Sequence, residues 1–331
     1  MSAGILGTGS YLPKEEVSNR DIAELVGVTE EWILRKTKIE TRRFAAPEEA
    51  TSDLAARAGE LALASAGLTA TDIDALIVST STPDSPQPPT ACLVQNLLGA
   101  WHAYAFDINA VCSGFVYGLD LARGLIANRR DARVLVIAAD LYSRCLDFAD
   151  RRTAVLFGDG AGAAVLGAAD DAHGILRIDL CTRGDKQRLI RVEAGGSRTP
   201  ASHVTVAMGD HYFKMEGRSV RDFVLEQVPP ALARTIAAAG ISAAEVAHVV
   251  PHQPNGVLLD DLADHAGLPR ARLHRTVERY GNVGSASVPV TLDQAQRDGA
   301  LRDGDLVLLT TFGGGMALGN CLLRWQDPSA R

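Results

Sequence analysis

Cysteine is scarce in this chain, and the little there is does not pair. Among 331 residues the five cysteines, Cys92, Cys112, Cys145, Cys181 and Cys321, are odd in number, widely spaced and without a C-x-x-C. Neither a disulfide framework nor a zinc site is indicated, so no metal is expected and a reducing cytoplasm is the simplest compartment. Long apolar runs are missing as well. No stretch approaches the roughly 20 residues of a membrane-spanning helix, and the opening MSAGILGTGS has neither the basic region nor the apolar core of an export signal. Positive charge is in deficit: Lys and Arg number 33 against 40 Asp and Glu, a formal net charge of -7. That argues against nucleic acid as a partner, because phosphate contacts need a basic surface. Two glycine clusters fall short of a nucleotide loop. GTGSYLP has no third glycine and runs into Pro13 where a helix should begin, and FGDGAGAAVLG continues as a strand-like run. Both read as places of close backbone packing.

What remains is the composition of an ordinary globular protein, 47% apolar and 22% charged. The length exceeds what a single core usually serves, and the chain repeats itself at a spacing of about 173 residues. Ala66-Gly67-Leu68, leading into DIDALIVST, is answered by Ala239-Gly240-Ile241, leading into EVAHVVPHQ. The segment NAVCSGFVYGLDLA from Asn109 is answered by NVGSASVPVTLDQA from Asn282. VLVIAAD from Val134 is answered, about 172 residues on, by LVLLTTF from Leu306. A duplicated α/β unit follows, with residues 1–172 as one half and 173–331 as the other. The copies differ where reactive side chains are needed: Cys112 faces Ser285, and His252 faces Ser79. One half brings a thiol, the other an imidazole and an amide.

Local signals alternate strand and helix throughout. Ser18 or Asn19 caps a helix that stops at Gly27, Thr29 caps another carrying Trp32, and Thr51, Ser52 and Asp53 precede an alanine-rich helix to Ala66. DALIVST is too apolar to alternate and reads as a strand buried on both faces. Pro88 and Pro89 start the helix TACLVQNLLG, YAFDIN reads as a strand, and SGFVYGLDLARGLIAN as a helix with Phe115, Leu119, Ala122 and Ile126 on one face. RVLVIAAD is the next strand. The stretch 174–209 is irregular, and 217–239 reads as a long helix perturbed at Pro229-Pro230. Such alternation implies sheets covered by helices, with ligands beyond the carboxyl ends of the strands.

Cys112 stands between a buried strand and a helix. Free backbone N–H groups and the positive helix end there favour thiolate, which predicts a thiol pKa lowered by roughly a unit or more. A cysteine is otherwise a small buried hydrophobe, the reading given to the other four; the strand-to-helix placement and Ser113-Gly114, open to a substrate, set Cys112 apart. His252 closes the strand VAHVVPHQ before Pro254, where a helix start should disfavour imidazolium and leave a neutral ring able to donate. Asn282, in the Gly-flanked turn YGNVGSAS, is either a turn asparagine like its counterpart Asn109 or a donor beside the imidazole. The run Phe312-Gly313-Gly314-Gly315 could present backbone N–H groups to a thioester carbonyl. RKTKIETRR carries five basic side chains against one Glu, next to Trp32, and reads equally as a solvated helix end or as a holder of a nucleotide-like carrier.

In chain order, NAVCSG around Cys112, Arg151 in ADRRT, FGDGAGA, His252 in PHQPN, Asn282 in YGN, and FGGGMA resemble the β-ketoacyl synthase III family of the thiolase superfamily over essentially the whole length. TSTPDSPQPPTA, ADLYSR, LIRVEAGGSR and LHRTVERYGN resemble its acetoacetyl-CoA synthase branch. The resemblance implies a homodimeric, five-layered αβαβα fold of two duplicated halves. It also implies a Cys112–His252–Asn282 triad and an oxyanion pocket of the Cys112 and Gly315 backbone N–H groups. The implied coenzyme A tunnel involves Trp32, Lys36, Thr37, Arg151, Arg152, Gly209 and Asn255, with CoA thioesters as substrates and no cofactor.

The implied reaction is a decarboxylative condensation of an acyl-CoA, acetyl-CoA above all, with malonyl-CoA. A thiolase would need a second cysteine at the glycine-rich turn, where Phe312 stands. Carrier-protein-dependent members bear a basic residue two places after the motif asparagine; here that place is Val257, which favours malonyl-CoA. Gln87 stands where an aromatic usually reaches the partner subunit's acyl pocket, and Lys38 replaces a usual glycine. The alternatives are priming of fatty-acid or polyketide synthesis from a malonyl-carrier protein, a non-condensing acyltransferase, and a silent partner subunit, against which the presence of Cys112 speaks.

Overall fold

A computed structural model describes residues 2–170 and 172–327. The two copies form two five-stranded sheets of one plan. From edge to edge the first runs Ala3–Tyr11, Asp159–Ala168, Val134–Leu141, Ala75–Ser79 and Tyr104–Ile108. The second runs Gly174–Thr182, Ala317–Arg324, Leu306–Gly313, His248–Pro251 and Arg272–Leu273. Ala75–Ser79 and His248–Pro251 each pair in parallel with both neighbours, and the other pairings are antiparallel. Ala75 lies opposite Val134 as His248 lies opposite Val307. The third sequence match is therefore one residue out: Val134 corresponds to Val307, not to Leu306, and all three matches share one offset. An apolar run slid by one residue still looks apolar, whereas a one-residue slip in a sheet exchanges its faces.

Five layers stack around these sheets. Between them lie the helices Gly114–Asn128 and Ser287–Arg297, whose Phe115, Leu119, Val288 and Leu292 meet Ile77 and Val136 of one sheet and Val250 and Leu309 of the other. Thr51–Ser65 and Thr90–Leu98 cover the outer face of the first sheet, against Leu76, Leu135 and Ile137. Gly217–Ala238 and Gly256–His265 cover that of the second, against Leu308, Phe312 and Leu322. This is the thiolase-like αβαβα arrangement, and burial on both faces is why Ala75–Ser79 carries no alternation. Pro229 and Pro230 sit within Gly217–Ala238 without ending it. No helix among the described residues is long and apolar enough to cross a membrane.

Helix ends follow local chemistry with two departures. Ser18 accepts from the Asp21 N–H and the Asp21 carboxylate accepts from Ser18, a closed capping box; Thr29 accepts from the Trp32 N–H. Thr51, Ser52 and Asp53 do not precede their helix; they are its first turn, capped by the Asp53 carboxylate accepting from the Ala50 N–H at 2.8 Å. The helix after Pro89 takes its cap from another strand, since Asp107 accepts from the N–H groups of Thr90 and Ala91 at 2.8 and 2.7 Å. The glycine clusters serve close packing. A Cβ on Gly9 would stand 2.3 Å from the Ala62 nitrogen, and one on Gly162 would stand 2.7 Å from that of Val290.

Candidate active site

Beyond the strand Tyr104–Ile108 the chain turns on Asn109, whose side-chain oxygen accepts from the Val111 N–H at 3.1 Å. Val111 is held at φ 49, a left-handed conformation that costs a β-branched residue about 1–3 kcal/mol. This elbow sets Cys112 in the single turn that leads into Gly114–Asn128, buried. Glycine is obligatory on two sides of it. A Cβ on Gly313 would stand 2.8 Å from both the Cβ and the nitrogen of Cys112, and one on Gly114 would stand 1.8 Å from the Ser79 hydroxyl.

His252 follows directly on the strand His248–Pro251 and donates its N–H to the Thr310 carbonyl at 2.8 Å. Its ring packs edge-on against Phe312, with centroids 5.2 Å apart. Cys112 and His252 therefore abut neighbouring residues, Gly313 and Phe312, at the carboxyl end of one strand. The next residue, Gln253, is buried and bonded at every amide position: it donates to the carbonyls of Pro251 and His274 and accepts from the N–H groups of Thr276 and Val277. It thus ties the His252 strand to the segment that leads to Asn282. Asn282 is pinned through its own N–H to the Leu156 carbonyl, and its side-chain oxygen accepts from the Gly284 N–H at 3.0 Å. Its NH2 group makes no hydrogen bond among the described residues, and Asn282 lines a cavity.

Burial sets the charges here. The Cys112 thiol is pushed well above its usual range by desolvation, and the buried Asp140 carboxylate adds to the effect. The expected helix-end thiolate is thus corrected: at rest Cys112 is a thiol. Desolvation also lowers His252 to about 3, so its ring is neutral as expected, with burial as the cause. Among the described residues nothing accepts from Nδ1 of His252, so a proton there would be unsatisfied and the Nε2–H tautomer is favoured.

A cavity of about 300 Å³ is lined by, among others, Trp32, Lys36, Thr37, Arg151, Arg152, Asn255 and Asn282. The Arg151 guanidinium lies over the Trp32 ring, 5.7 Å from its centroid. Gly209 is not among the lining residues; it turns the chain at φ 67 after the short helix His203–Ala207. Met215, Val220, Arg221 and Asp261 also line the cavity, and no sequence signal pointed to them. The basic run next to Trp32 is mostly engaged elsewhere. Arg42 is buried, donating to Asn19 and to the Val155 carbonyl, Arg43 pairs with Glu16, and Lys38 pairs with Asp260. Lys38 stands at φ 58 as the C-cap of Glu30–Thr37, a place that suits glycine. A second cavity of about 470 Å³ lies beyond Val111 and Gly315; Gln87 is exposed and not part of its wall. Gly315 itself has φ 122. Among the described residues no group of three or more His, Cys, Asp or Glu could hold a metal ion.

Two profiles of one family match the chain: 3-oxoacyl-[acyl-carrier-protein (ACP)] synthase III at residues 106–184, and the C-terminal part of the same enzyme at residues 236–325. The chain is 51% identical over 323 residues to the acetoacetyl CoA synthase NphT7 of Streptomyces sp. (strain CL190), covering 97% of this chain and 98% of that one. It is 41% identical to the β-ketoacyl-[acyl-carrier-protein] synthase III of Caldanaerobacter subterraneus subsp. tengcongensis, covering 98% of each. The solved structure of the priming β-ketosynthase from the R1128 polyketide biosynthetic pathway superposes with a TM-score of 0.91 at 33% identity, over 99% of this chain and 97% of that one. With relatives of this identity along its whole length, and with a cysteine elbow and a histidine strand end meeting at one glycine-rich turn, the chain belongs to the ketoacyl synthase III family of acyl-transferring condensing enzymes.

Proposed function

We propose that this enzyme condenses acetyl-CoA with malonyl-CoA, releasing CoA and CO₂ and forming acetoacetyl-CoA. Decarboxylative condensation is the reaction of the family; the identity of the two thioesters is the proposal. In the first half-reaction the Cys112 sulfur attacks the acetyl thioester carbonyl, with the backbone N–H groups of Cys112 and Gly315 holding the oxyanion. The C–S bond to CoA breaks, and the proton lost by Cys112 leaves with CoA as its thiol. Because Cys112 rests as a thiol, the nucleophile forms only as substrate binds. In the second half-reaction Nε2–H of His252 and the NH2 group of Asn282 donate to the malonyl thioester carbonyl. Loss of CO₂ leaves an enolate on that oxygen, its carbon attacks the acetyl carbonyl, and the bond to the Cys112 sulfur breaks, releasing a thiolate that takes a proton from solvent to restore the resting thiol. Decarboxylation supplies the carbanion without a strong base. No cofactor takes part.

The observation that carries the reading of the acceptor is the wall of the 300 Å³ cavity. Its aromatic and cationic residues, Trp32 with Lys36, Arg151 and Arg152, suit the adenine and phosphates of coenzyme A, and Asn282 suits its thioester. Val257 lines the same cavity, and Arg221, which also lines it, is engaged with Asp261 at 2.9 Å, so neither offers a free positive charge to an acidic carrier protein. A carrier-protein acceptor is the second reading, favoured by the names of the synthase III relatives. Gln87 is proposed to lie at the acyl pocket across a homodimer interface. The test is a comparison of malonyl-CoA with malonyl-carrier protein, each with acetyl-CoA, with Cys112→Ala as control. The reading expects product from malonyl-CoA that the control does not give; consumption of carrier-bound malonate alone would replace it with the second reading.

A further inference from the structure

We propose that Asp140 fills a silent second copy of the oxyanion pocket and in doing so holds Asn282 as a hydrogen-bond donor, which makes it a positioning residue for the malonyl half-reaction. The duplication supplies the argument. With the sheets in register, Ser285 corresponds to Cys112, Gly284 to Val111, Asn282 to Asn109, and Asp140 to Gly313. In the working half Gly313 leaves no side chain in front of the Cys112 nitrogen, where a Cβ would stand 2.8 Å away. In the other half that place holds the Asp140 carboxylate. Its Oδ2 accepts from the N–H of Ser285 at 2.7 Å and from the Ser285 hydroxyl at 2.9 Å. A carboxylate oxygen sits where, by symmetry, a substrate oxygen would sit against Cys112.

The elbows have exchanged large for small in step. Both turn at positive φ, 49 at Val111 and 58 at Gly284. A Cβ on Gly284 would lie 2.3 Å from Oδ2 of Asp140 and 2.5 Å from the Tyr142 ring, whereas Val111 has its side chain beside Gly314, where a Cβ would come within 3.2 Å of it. Asp140 is wholly buried, and its Oδ1 accepts from the Ser81 N–H and hydroxyl and from the hydroxyls of Thr80 and Thr82. That many donors anchor it, and they all belong to the first half. The anchored carboxylate fixes Ser285, the adjacent Gly284 N–H fixes the Asn282 oxygen, and the Asn282 NH2 is thereby left as the free donor. The first half thus builds the second half's donor through one buried carboxylate.

The proposal rests on the reading that Asn282 serves malonyl decarboxylation, and its test separates the two. Two quantities are measured on the full chain: the ratio of CO₂ release from malonyl-CoA to acetyl transfer from acetyl-CoA onto Cys112, and the melting temperature. Asp140→Asn, which keeps the shape and turns acceptors into donors, should lower the ratio at least tenfold, and Gly284→Ala should lower it in the same direction. Ser285→Ala, which removes the hydroxyl donor to Oδ2 and leaves the Ser285 N–H in place, should lower the ratio in the same direction by a smaller factor. A ratio within twofold of wild type in folded Asp140→Asn overturns the assignment. If Asp140→Asn does not fold, Ser285→Ala decides, a lower melting temperature with an unchanged ratio overturning it. A wild-type protein that releases no CO₂ from malonyl-CoA would instead sink the functional reading on which the proposal rests.

Discussion

At Cys112 the helix end and the surrounding apolar matter pull on the thiol in opposite directions. A helix N-terminus contributes about 0.3–2 kcal/mol toward the anion, whereas full burial moves a pKa by up to about 3–5 units, and desolvation is the leading influence on Cys112. Sequence shows the helix end and not the burial, which is why it points to thiolate. The consequence is measurable: inactivation by iodoacetamide should accelerate steadily as pH rises from about 6 to 9.5, without the plateau near neutrality of a low-pKa cysteine. At Asn282, removal of the NH2 donor by Asn282→Ala should lower CO₂ release from malonyl-CoA by about 10² to 10³ while acetyl transfer to Cys112 persists. Equal losses in both half-reactions, read in single-turnover assays, would contradict the division of labour.

Among the elements, the strand Ala3–Tyr11 lies so close on the helix Thr51–Ser65 that Gly9 has the Ala62 nitrogen where a Cβ would go. Gly9→Ala should cost about 2 kcal/mol, read as an earlier urea midpoint at unchanged slope, and no loss would mean the two elements can slide apart. Much of this level was legible in the sequence, because strands buried on both faces, Ser18 and Thr29 caps and the repeat are all local patterns. The cap of Thr90–Leu98 was not, since its carboxylate, Asp107, arrives from another strand. Asp140 escaped notice for the same reason: at the end of VLVIAAD it looks like any polar residue closing a strand, and its partner Ser285 is in the other half. Cys112, His252 and Asn282, the proposed triad, stood out because each closes a strand or turn before a helix. Of the residues that the resemblance assigns to coenzyme A, those in compact motifs line the cavity, while Gly209, in the irregular stretch, does not.

For the whole molecule, two buried imidazoles couple folding to pH. His252 is lowered to about 3 and His274 to about 4, both chiefly by desolvation. Between those values and the ordinary histidine pKa the unfolded chain binds protons that the folded chain does not, so stability falls as pH drops from about 6.5 toward 4. Each imidazole contributes a slope of about 1.4 kcal/mol per pH unit within that window. The buried Asp140 and Asp159, raised by desolvation, titrate in the opposite sense, but they are common to a His274→Asn variant. The difference in slope between wild type and variant, from urea denaturation at pH 6.5 to 4.5, should therefore approach one imidazole; parallel curves would contradict it. A sulfur from one half and two donors from the other are proposed to serve a single reaction, and mass spectrometry of the protein during turnover tests this most directly. Acetyl-CoA alone should load one acetyl group onto the Cys112 peptide, and malonyl-CoA should then remove it with release of CO₂ in the wild type while Asn282→Ala stays loaded. An acetyl group on another residue, or equally fast unloading in Asn282→Ala, would contradict the account.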